Sequence, residues 1–262
     1  MYQQEFIVIF GGIKLEHNLE GTSITVKDLS DNVLVVLSGG LDSSVATMML
    51  VDQYGKDKVH ALTFDYNQKQ KIECLAAATF CRTLEIEHTI LDLKVLGDIA
   101  RPMSANISDT DVDMPNIKEV LGDPQPVTYV PFRNMILLSL ALSHAEVQKC
   151  SKVYTGLQVH DEYGYWDTTQ KFVDSMNAVA TQNRQNRIEI IAPFSQLSKA
   201  DEIEIAIELG QFDLLRHTMT CYEPIGVLSC GKCPSCAERI MNFMKVGRKD
   251  PVPYDIDIDW KL

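Results

Sequence analysis

The sequence predicts an α/β fold in which helices cover both faces of a doubly wound, parallel, five-stranded sheet. Short apolar segments rich in β-branched residues alternate with longer segments that carry apolar residues at helical spacing, and this alternation is typical of parallel sheets. The predicted strands are Val33–Leu37, Val59–Phe64, His88–Leu93, Lys152–Gly156 and Ile188–Ala192. The predicted helices are Ser43–Tyr54, Gln68–Leu84, Phe132–Gln148, Thr169–Thr181 and Ser198–Leu209.

The chain is expected to consist of three parts. Residues 32–215 form the sheet domain, and residues 1–31, which alternate and contain Gly11 and Gly12, form an added N-terminal segment with a hairpin. Residues 216–262 form a C-terminal segment that binds metal and packs on the same domain. The stretch 98–127 is rich in Asp, Pro and Asn, and a loop of this length indicates either a lid or disorder, of which we favour a lid.

Composition excludes some classes of function. The 262 residues carry a formal net charge of −12, which disfavours a nucleic-acid partner because binding to a phosphate backbone depends on clustered Lys and Arg. The sequence has no apolar run of membrane-spanning length and no secretory leader, so a cytoplasmic location is expected.

The strongest motif is the segment SGGLDSS at 38–44, which joins the first core strand to a helix. A strand, a glycine turn and a helix start bring backbone N–H groups and the helix dipole to one point, which suits phosphate. Asp42 would repel phosphates unless Mg²⁺ stood between them, so the motif predicts a Mg²⁺–nucleotide complex. An ordinary glycine turn with a serine N-cap is the structural alternative.

Two cations are placed to assist a reaction at this loop. Lys199 and Arg133 each stand at the start of a predicted helix, where a positive charge opposes the helix dipole unless an anion lies nearby. We therefore predict that Asp42, Lys199 and Arg133 form the catalytic group, with the two cations neutralising departing pyrophosphate. Solvated surface cations are the alternative.

Four of the seven cysteines lie within sixteen residues, at Cys221, Cys230, Cys233 and Cys236. Four thiolates complete a closed tetrahedral Zn²⁺ site, which is structural rather than catalytic. An iron–sulfur cluster is the alternative metal centre. The other three, Cys74, Cys81 and Cys150, are expected to be buried thiols without ligand roles.

The segments LSGGLDSS, FDYNQKQKIE, TYVPFRN, APFSQLSKADEI and TCYEPIGVLSCGKCPSCAERIMNF occur in this order, followed by DPVPY. From residue 33 onward this pattern resembles the 7-cyano-7-deazaguanine synthase (QueC-type) family of the ATP pyrophosphatase, or PP-loop, superfamily. The resemblance implies an adenine nucleotide alpha hydrolase-like fold and a zinc-binding, ATP-dependent homodimer. It also implies conversion of 7-carboxy-7-deazaguanine and ammonia to a nitrile through adenylated carboxylate and amide intermediates.

The resemblance also implies site residues. The zinc ligands would be the four clustered cysteines, and the substrate would contact Tyr66, Gln68, Asp161, Tyr165 and Asp167. The nucleotide would be lined by Leu37, Ser38, Gly39, Gly40, Leu41, Asp42, Ser43, Ser44, Val45, Ala46 and Thr47.

The chain departs from the family at one motif. Family members typically carry Gly-Tyr-Pro-Asp-Cys where this chain has Gly164–Thr168, with Trp166 and Thr168 replacing the proline and the cysteine. The carboxylate of Asp167 would accept hydrogen bonds from a guanine-like edge, and Tyr165 or Trp166 would stack on the ring. A surface turn with an exposed aromatic side chain is the alternative. Three other functions stay open: a variant that stops at the amide or uses a related deazapurine, a PP-loop tRNA-modifying enzyme, and a non-catalytic nucleotide-binding module.

Overall fold

The computed structural model describes residues 6–10, 13–17, 31–113, 127–158 and 165–261. Its strands are β1 (Phe6–Phe10), β2 (Ile13–His17), β3 (Asn32–Val36), β4 (Val59–Asp65), β5 (Glu87–Asp92), β6 (Cys150–Thr155) and β7 (Glu189–Ile191). Its helices are α1 (Leu41–Tyr54), α2 (Ile72–Leu84), α3 (Lys94–Ala100), α4 (Arg133–Val147), α5 (Gln170–Ala180), α6 (Lys199–Glu208) and α7 (Pro234–Lys245). Short 3-10 segments lie at Lys56–Lys58, Trp166–Thr168 and Phe212–His217.

The predicted doubly wound sheet is confirmed. Five parallel strands lie in the order β5-β4-β3-β6-β7. The chain moves outward from β3 through β4 to β5 and then returns to β6 on the other side of β3, so the order reverses between β3 and β6. In such sheets ligands bind beyond the carboxyl ends of the strands at this point, where the connections diverge.

Two apolar layers cover the sheet. On one face, side chains of α1, α2, α6 and α7 pack against β3 and β4, with Phe80, Ile203 and Phe243 fully buried. On the other face, α4 and α5 contribute Leu138 and Phe172. The central strand β3 is buried on both faces, which requires apolar side chains in both directions and explains its continuous apolar sequence.

Two elements differ from the sequence expectations. Helix α3 occupies Lys94–Ala100, at the start of the predicted lid. Helix α7 lies in the C-terminal segment, beyond the last predicted helix; it buries Cys236, Arg239, Ile240 and Phe243. That inward face includes a cysteine and an arginine, so a count of aliphatic residues misses its helical spacing.

The remaining predictions fall partly outside the described residues. Strands β1 and β2 pair antiparallel, in agreement with the predicted hairpin, while Gly11 and Gly12 lie outside the described part of the chain. Residues 114–126 of the predicted lid also lie outside it, whereas Asn106 accepts a backbone hydrogen bond from Lys69 and Ile107 is fully buried. The division into residues 1–31, 32–215 and 216–262 stays a prediction. Within the described ranges, no helix has the length and apolar character needed to cross a membrane.

Candidate active site

The phosphate loop, residues 37–41, follows β3 and leads directly into α1. The backbone of Gly40 caps α1 without any side-chain cap, which leaves the helix N-terminus available to an anion. Gly39 has a φ of +91°, and a Cβ there would lie 2.2 Å from the carbonyl oxygen of Glu73. Only glycine fits this conformation and this close approach of α2.

The hydroxyl groups of the loop hold its own shape. The backbone N–H of Ser38 donates to Ser43 Oγ at 3.1 Å, and the two hydroxyls lie 3.0 Å apart. Ser44 is fully buried, and its Oγ has no protein partner. The predicted nucleotide-lining residues beyond it, Val45, Ala46 and Thr47, are fully buried within α1, and their contact with a nucleotide stays a prediction.

The connection after β6 closes against the same helix start. A Cβ on Gly156 would lie 2.8 Å from the backbone nitrogen of Ser43, so β6 and α1 approach each other more closely than any larger residue allows. Two residues further on, the side chain of Gln158 reaches Glu202 on α6. The carboxyl ends of β3 and β6 and the start of α6 therefore converge on one site.

A pair of carboxyl groups lies at this convergence. Glu202 is fully buried, and its Oε2 has no hydrogen-bond partner; Oδ1 of Asp42 is also buried without a partner. Burial, and after it the negative charge of Asp42, raises the pKa of Glu202 well above its usual range. Two facing carboxyl groups with unsatisfied oxygens are the donor set that a hard divalent cation prefers.

Lys199 lies beside this pair, and its catalytic role stays a prediction. Its Nζ is 4.0 Å from Asp42 Oδ2, 3.0 Å from Glu238 Oε2 and 3.5 Å from Gln158 Oε1. The helix that carries it begins with a capping box between Ser198 and Asp201, which fixes the first turn of α6. Lys199 is thus held by anionic side chains from two different helices.

Arg133 belongs to a second cluster. Its guanidinium donates a hydrogen bond to Tyr66 and interacts electrostatically with Asp167 and Tyr165. Glu73, at the start of α2, faces the same guanidinium. Burial raises the pKa of Glu73 to about 8, although Arg133 opposes the shift.

Among the described residues, the predicted substrate residues lie around this second cluster, and their side chains differ in solvent exposure. Asp167 is buried and accepts a hydrogen bond from the backbone N–H of Asn134 at 3.1 Å, which caps α4. Gln68 is also buried, and its amide donates to the carbonyl of Phe64 and accepts from the backbone N–H of Tyr66. Asp161 lies outside the described residues. Substrate contact by these residues stays a prediction.

Aromatic side chains form one wall of the second cluster. The rings of Tyr129 and Tyr165 stack with centroids 6.2 Å apart. Trp166 donates from Nε1 to the Tyr129 hydroxyl at 3.0 Å and packs edge-on against Phe132 and Phe172. Trp166 is 41% exposed, so its ring combines a fixed orientation with a face open to a ligand.

The four clustered cysteines meet as the sequence predicts. Their Sγ atoms all lie within 4.8 Å of one another, and all four residues are buried. Backbone N–H groups of Cys230, Cys233 and Cys236 donate to neighbouring sulfurs at 3.2–3.4 Å. Hydrogen bonding from the Cys221 thiol lowers the pKa of Cys233. This group could hold a metal ion. The remaining cysteines, Cys74, Cys81 and Cys150, lie apart from it in the sheet domain.

Sequence reasoning missed Glu202, Gln158, Glu238 and Glu73. Glu202 lies three residues after Lys199, on the same side of α6, so helical spacing was a signal for it. Gln158 follows a strand end, which is a weaker signal. Glu238 reaches Lys199 from α7 through tertiary packing alone, and no local pattern indicates it.

Comparisons with known proteins place this site in a family. Residues 32–247 match the family model described as "Queuosine biosynthesis protein QueC". A 7-cyano-7-deazaguanine synthase of Koribacter versatilis is 37% identical over 225 residues, covering 84% of this chain and 92% of the relative. That of Marinomonas sp. is 36% identical over 228 residues, covering 87% of this chain and all of the relative.

Among solved structures, the U34-tRNA thiolase NcsA from Methanococcus maripaludis with its [4Fe-4S] cluster is similar at 17% identity and a TM-score of 0.47. The matched region covers 76% of this chain and 63% of the thiolase chain. The family match spans the phosphate loop, both side-chain clusters and all four cysteines. The chain belongs to the QueC family of queuosine biosynthesis proteins and is an enzyme of that type.

Proposed function

We propose that the chain converts 7-carboxy-7-deazaguanine and ammonia to 7-cyano-7-deazaguanine, with ATP cleaved to AMP and pyrophosphate. The observation that carries the proposal is the pair formed by buried Glu202 and half-buried Asp42, each of which has one buried oxygen without a hydrogen-bond partner beside the glycine loop before α1. A loop that binds phosphate next to a cation site suits a Mg²⁺–ATP complex. The names of the relatives supply the substrate.

The two carboxyl groups fit a magnesium ion. Asp42 and Glu202 would each contribute one oxygen, and substrate phosphates would complete the shell. When bound, the ion neutralises charge on the phosphates. Lys199 lies 4.0 Å from Asp42 and would stabilise the outer phosphates and the departing pyrophosphate.

The four thiols fit a zinc ion. Tetrahedral coordination with Zn–S bonds near 2.3 Å separates sulfurs by roughly 3.8 Å. The observed separations are 4.0 Å between Cys221 and Cys233 and 3.9 Å between Cys230 and Cys236. A shell of four protein ligands leaves no open position, so zinc here would stabilise the fold and take no part in the reaction.

The second cluster supports binding of the deazapurine. Arg133 would hold the substrate carboxylate or the α phosphate, because its guanidinium matches both anions and Tyr66 orients it. Trp166 would stack on the fused ring, and the predicted contacts of Tyr165 and Asp167 would contribute at the same wall. If ATP and the substrate were bound side by side in the two regions, the transfer between them would become effectively unimolecular.

The chemistry requires two activations. In the first, a substrate carboxylate oxygen attacks the α phosphorus and pyrophosphate leaves; ammonia then attacks the carbonyl carbon, loses a proton and displaces AMP to give the amide. In the second, the amide oxygen attacks another α phosphorus, and loss of AMP together with the remaining two N–H protons leaves the nitrile. No protein nucleophile is required, so the contribution of the chain is positioning and charge stabilisation.

We further propose that the partners are small molecules rather than nucleic acid, which the net charge of −12 supports. The homodimer and the cytoplasmic location stay predictions.

The test is a product assay with MgATP, 7-carboxy-7-deazaguanine and ¹⁵N-ammonium. We expect multiple-turnover release of AMP and pyrophosphate only when all three are present, because without ammonia the reaction stops at one adenylate per site. The mass of the product should correspond to the nitrile with one ¹⁵N atom. A product that ends at the amide mass would support the variant function instead. Release of ADP and orthophosphate without AMP would overturn attack at the α phosphorus.

A further inference from the structure

The segment Thr218–Cys221 lies between the phosphate loop and the four-cysteine site. The backbone N–H of Met219 donates to the carbonyl oxygen of Gly39 at 2.8 Å. Two residues later, Cys221 is fully buried and contributes its sulfur to the cysteine cluster. The segment therefore contacts the phosphate loop through Met219 and the four-cysteine site through Cys221.

The segment is fixed on its other side by helix α7. Ser235, which stands between two cluster cysteines, donates from Oγ to the carbonyl oxygen of Thr220 at 2.7 Å. The hydroxyl of Thr218 accepts a hydrogen bond from Arg239 at 2.8 Å and donates to Leu215. Met219 packs in the same buried cluster as the four cysteines, and its sulfur accepts a hydrogen bond from Ser229 Oγ at 3.8 Å. Every residue of the segment therefore contacts the cysteine cluster or the residues around it.

The phosphate loop has little freedom opposite this segment. Gly39 is in contact with the backbone of Glu73 on α2, and a Cβ on Gly40 would lie 3.7 Å from the Thr220 side chain. The Oγ1 atom of Thr220 is buried without a partner. The loop is therefore held between α2 and the segment, and a shift of the segment changes the direction of the loop amides.

We propose that Thr218–Cys221 is a positioning element through which metal at the four cysteines sets the affinity of the phosphate loop for MgATP. The proposal rests on the proposed function in one respect, that the loop binds ATP. Backbone amides bind phosphate well only at a defined geometry, because hydrogen bonds weaken steeply with misalignment. Metal binding fixes Cys221, the hydrogen bond from Met219 fixes Gly39, and the amides of the loop then converge on the phosphates.

The first test uses Ser235, because its hydroxyl joins α7, which carries Cys236, to the segment through one hydrogen bond. We expect Ser235→Ala, loaded with metal, to bind MgATP roughly three- to ten-fold more weakly by calorimetry, from loss of one hydrogen bond. Ser235→Thr keeps the hydroxyl and should restore the affinity. The matched control is Ser139→Ala on α4, which removes an equal 2.7 Å bond to a backbone carbonyl at an exposed site and should not change affinity.

The second test compares the metal-loaded and metal-stripped chain. We expect stripping to weaken MgATP binding and to speed amide hydrogen exchange at residues 38–41, relative to strands β3 and β4. Unchanged affinity in Ser235→Ala would overturn the coupling and leave nucleotide binding by the loop intact. Failure of the metal-loaded parent to bind MgATP would instead overturn the proposed function, and the coupling with it.

Discussion

At the scale of single residues, Asp42 is the residue whose environment most needs a ligand. One of its oxygens is buried without a partner, beside a second buried carboxyl group at Glu202. Such an arrangement is unfavourable in the free chain, because burial and the negative charge of Asp42 both oppose ionisation of Glu202. Under the proposed function, a cation that arrives with the nucleotide would bind these two carboxyl groups.

Asp42→Asn is therefore expected to remove most of the effect of Mg²⁺ on ATP affinity and to slow AMP formation by at least about 100-fold. Calorimetric titration with ATP, with and without Mg²⁺, measures the first effect, and a pyrophosphate assay measures the second. Asp52→Asn is the matched control, because this exposed carboxylate lies on the same helix and makes the same change in net charge. Equal Mg²⁺ dependence in both variants would contradict the assignment.

Glu73 gives a prediction of pH dependence. Its ordinary pKa is 4.5, and burial raises it to about 8 in the folded chain. Between these values the folded chain holds a proton that the unfolded chain has released, so the contribution of Glu73 to stability falls as pH rises. Gln stays neutral throughout. We expect the melting temperature of Glu73→Gln to rise relative to that of the parent from pH 5 to pH 9.

The control for that experiment is Glu204→Gln, at an exposed position of α6. Its melting temperature should follow the parent curve at every pH. Parallel curves for Glu73→Gln as well would show that the proton on Glu73 does not contribute to the pH dependence of folding.

At the scale of elements, the phosphate loop was predictable because its chemistry is local. A strand, two glycines and a helix start are consecutive in sequence, and so are the closely spaced cysteines. Helix α7 was not predicted, because its inward face uses Cys236 and Arg239, whose partners come from distant segments. The contact between Lys199 and Glu238 has the same origin.

The ion pair between Arg239 and Asp250 joins α7 to the C-terminal residues. Arg239 donates to both oxygens of Asp250, at 2.6 and 3.0 Å, and both side chains are buried. Tyr254 also donates to this carboxylate. Removing one partner of such a pair is more harmful than removing both charges, because a lone buried charge has no compensation.

We expect Arg239→Met to lower the free energy of unfolding by about 3–5 kcal/mol in urea titrations. The double variant Arg239→Met with Asp250→Asn should recover part of this loss, because Asn is neutral and keeps an acceptor for the backbone N–H of Val252. A double variant less stable than the single one would contradict this account.

At the scale of the whole molecule, topology followed from alternation. Buried parallel strands joined by helices allow few arrangements, so a doubly wound, five-stranded parallel sheet could be predicted, whereas its strand order was not. The division of site residues into a cluster around Asp42 and Lys199 and another around Arg133 and Tyr66 could not. Both cations stand at the first residue of a helix, and only packing decides which anions each one meets.

The N-terminal segment gives the last prediction. Strands β1 and β2 pair only with each other among the described strands, and the family match begins at residue 32, where β3 starts. The Marinomonas relative aligns over its whole length with 87% of this chain. Deletion of residues 1–30 is therefore expected to leave the melting temperature within about 2 °C, because a 1 kcal/mol change shifts it by roughly 2–4 °C in a chain of this size. MgATP affinity should also stay within two-fold. A larger loss of either quantity would show that the segment completes the sheet domain or its site, and the boundary at residue 31 would then be wrong.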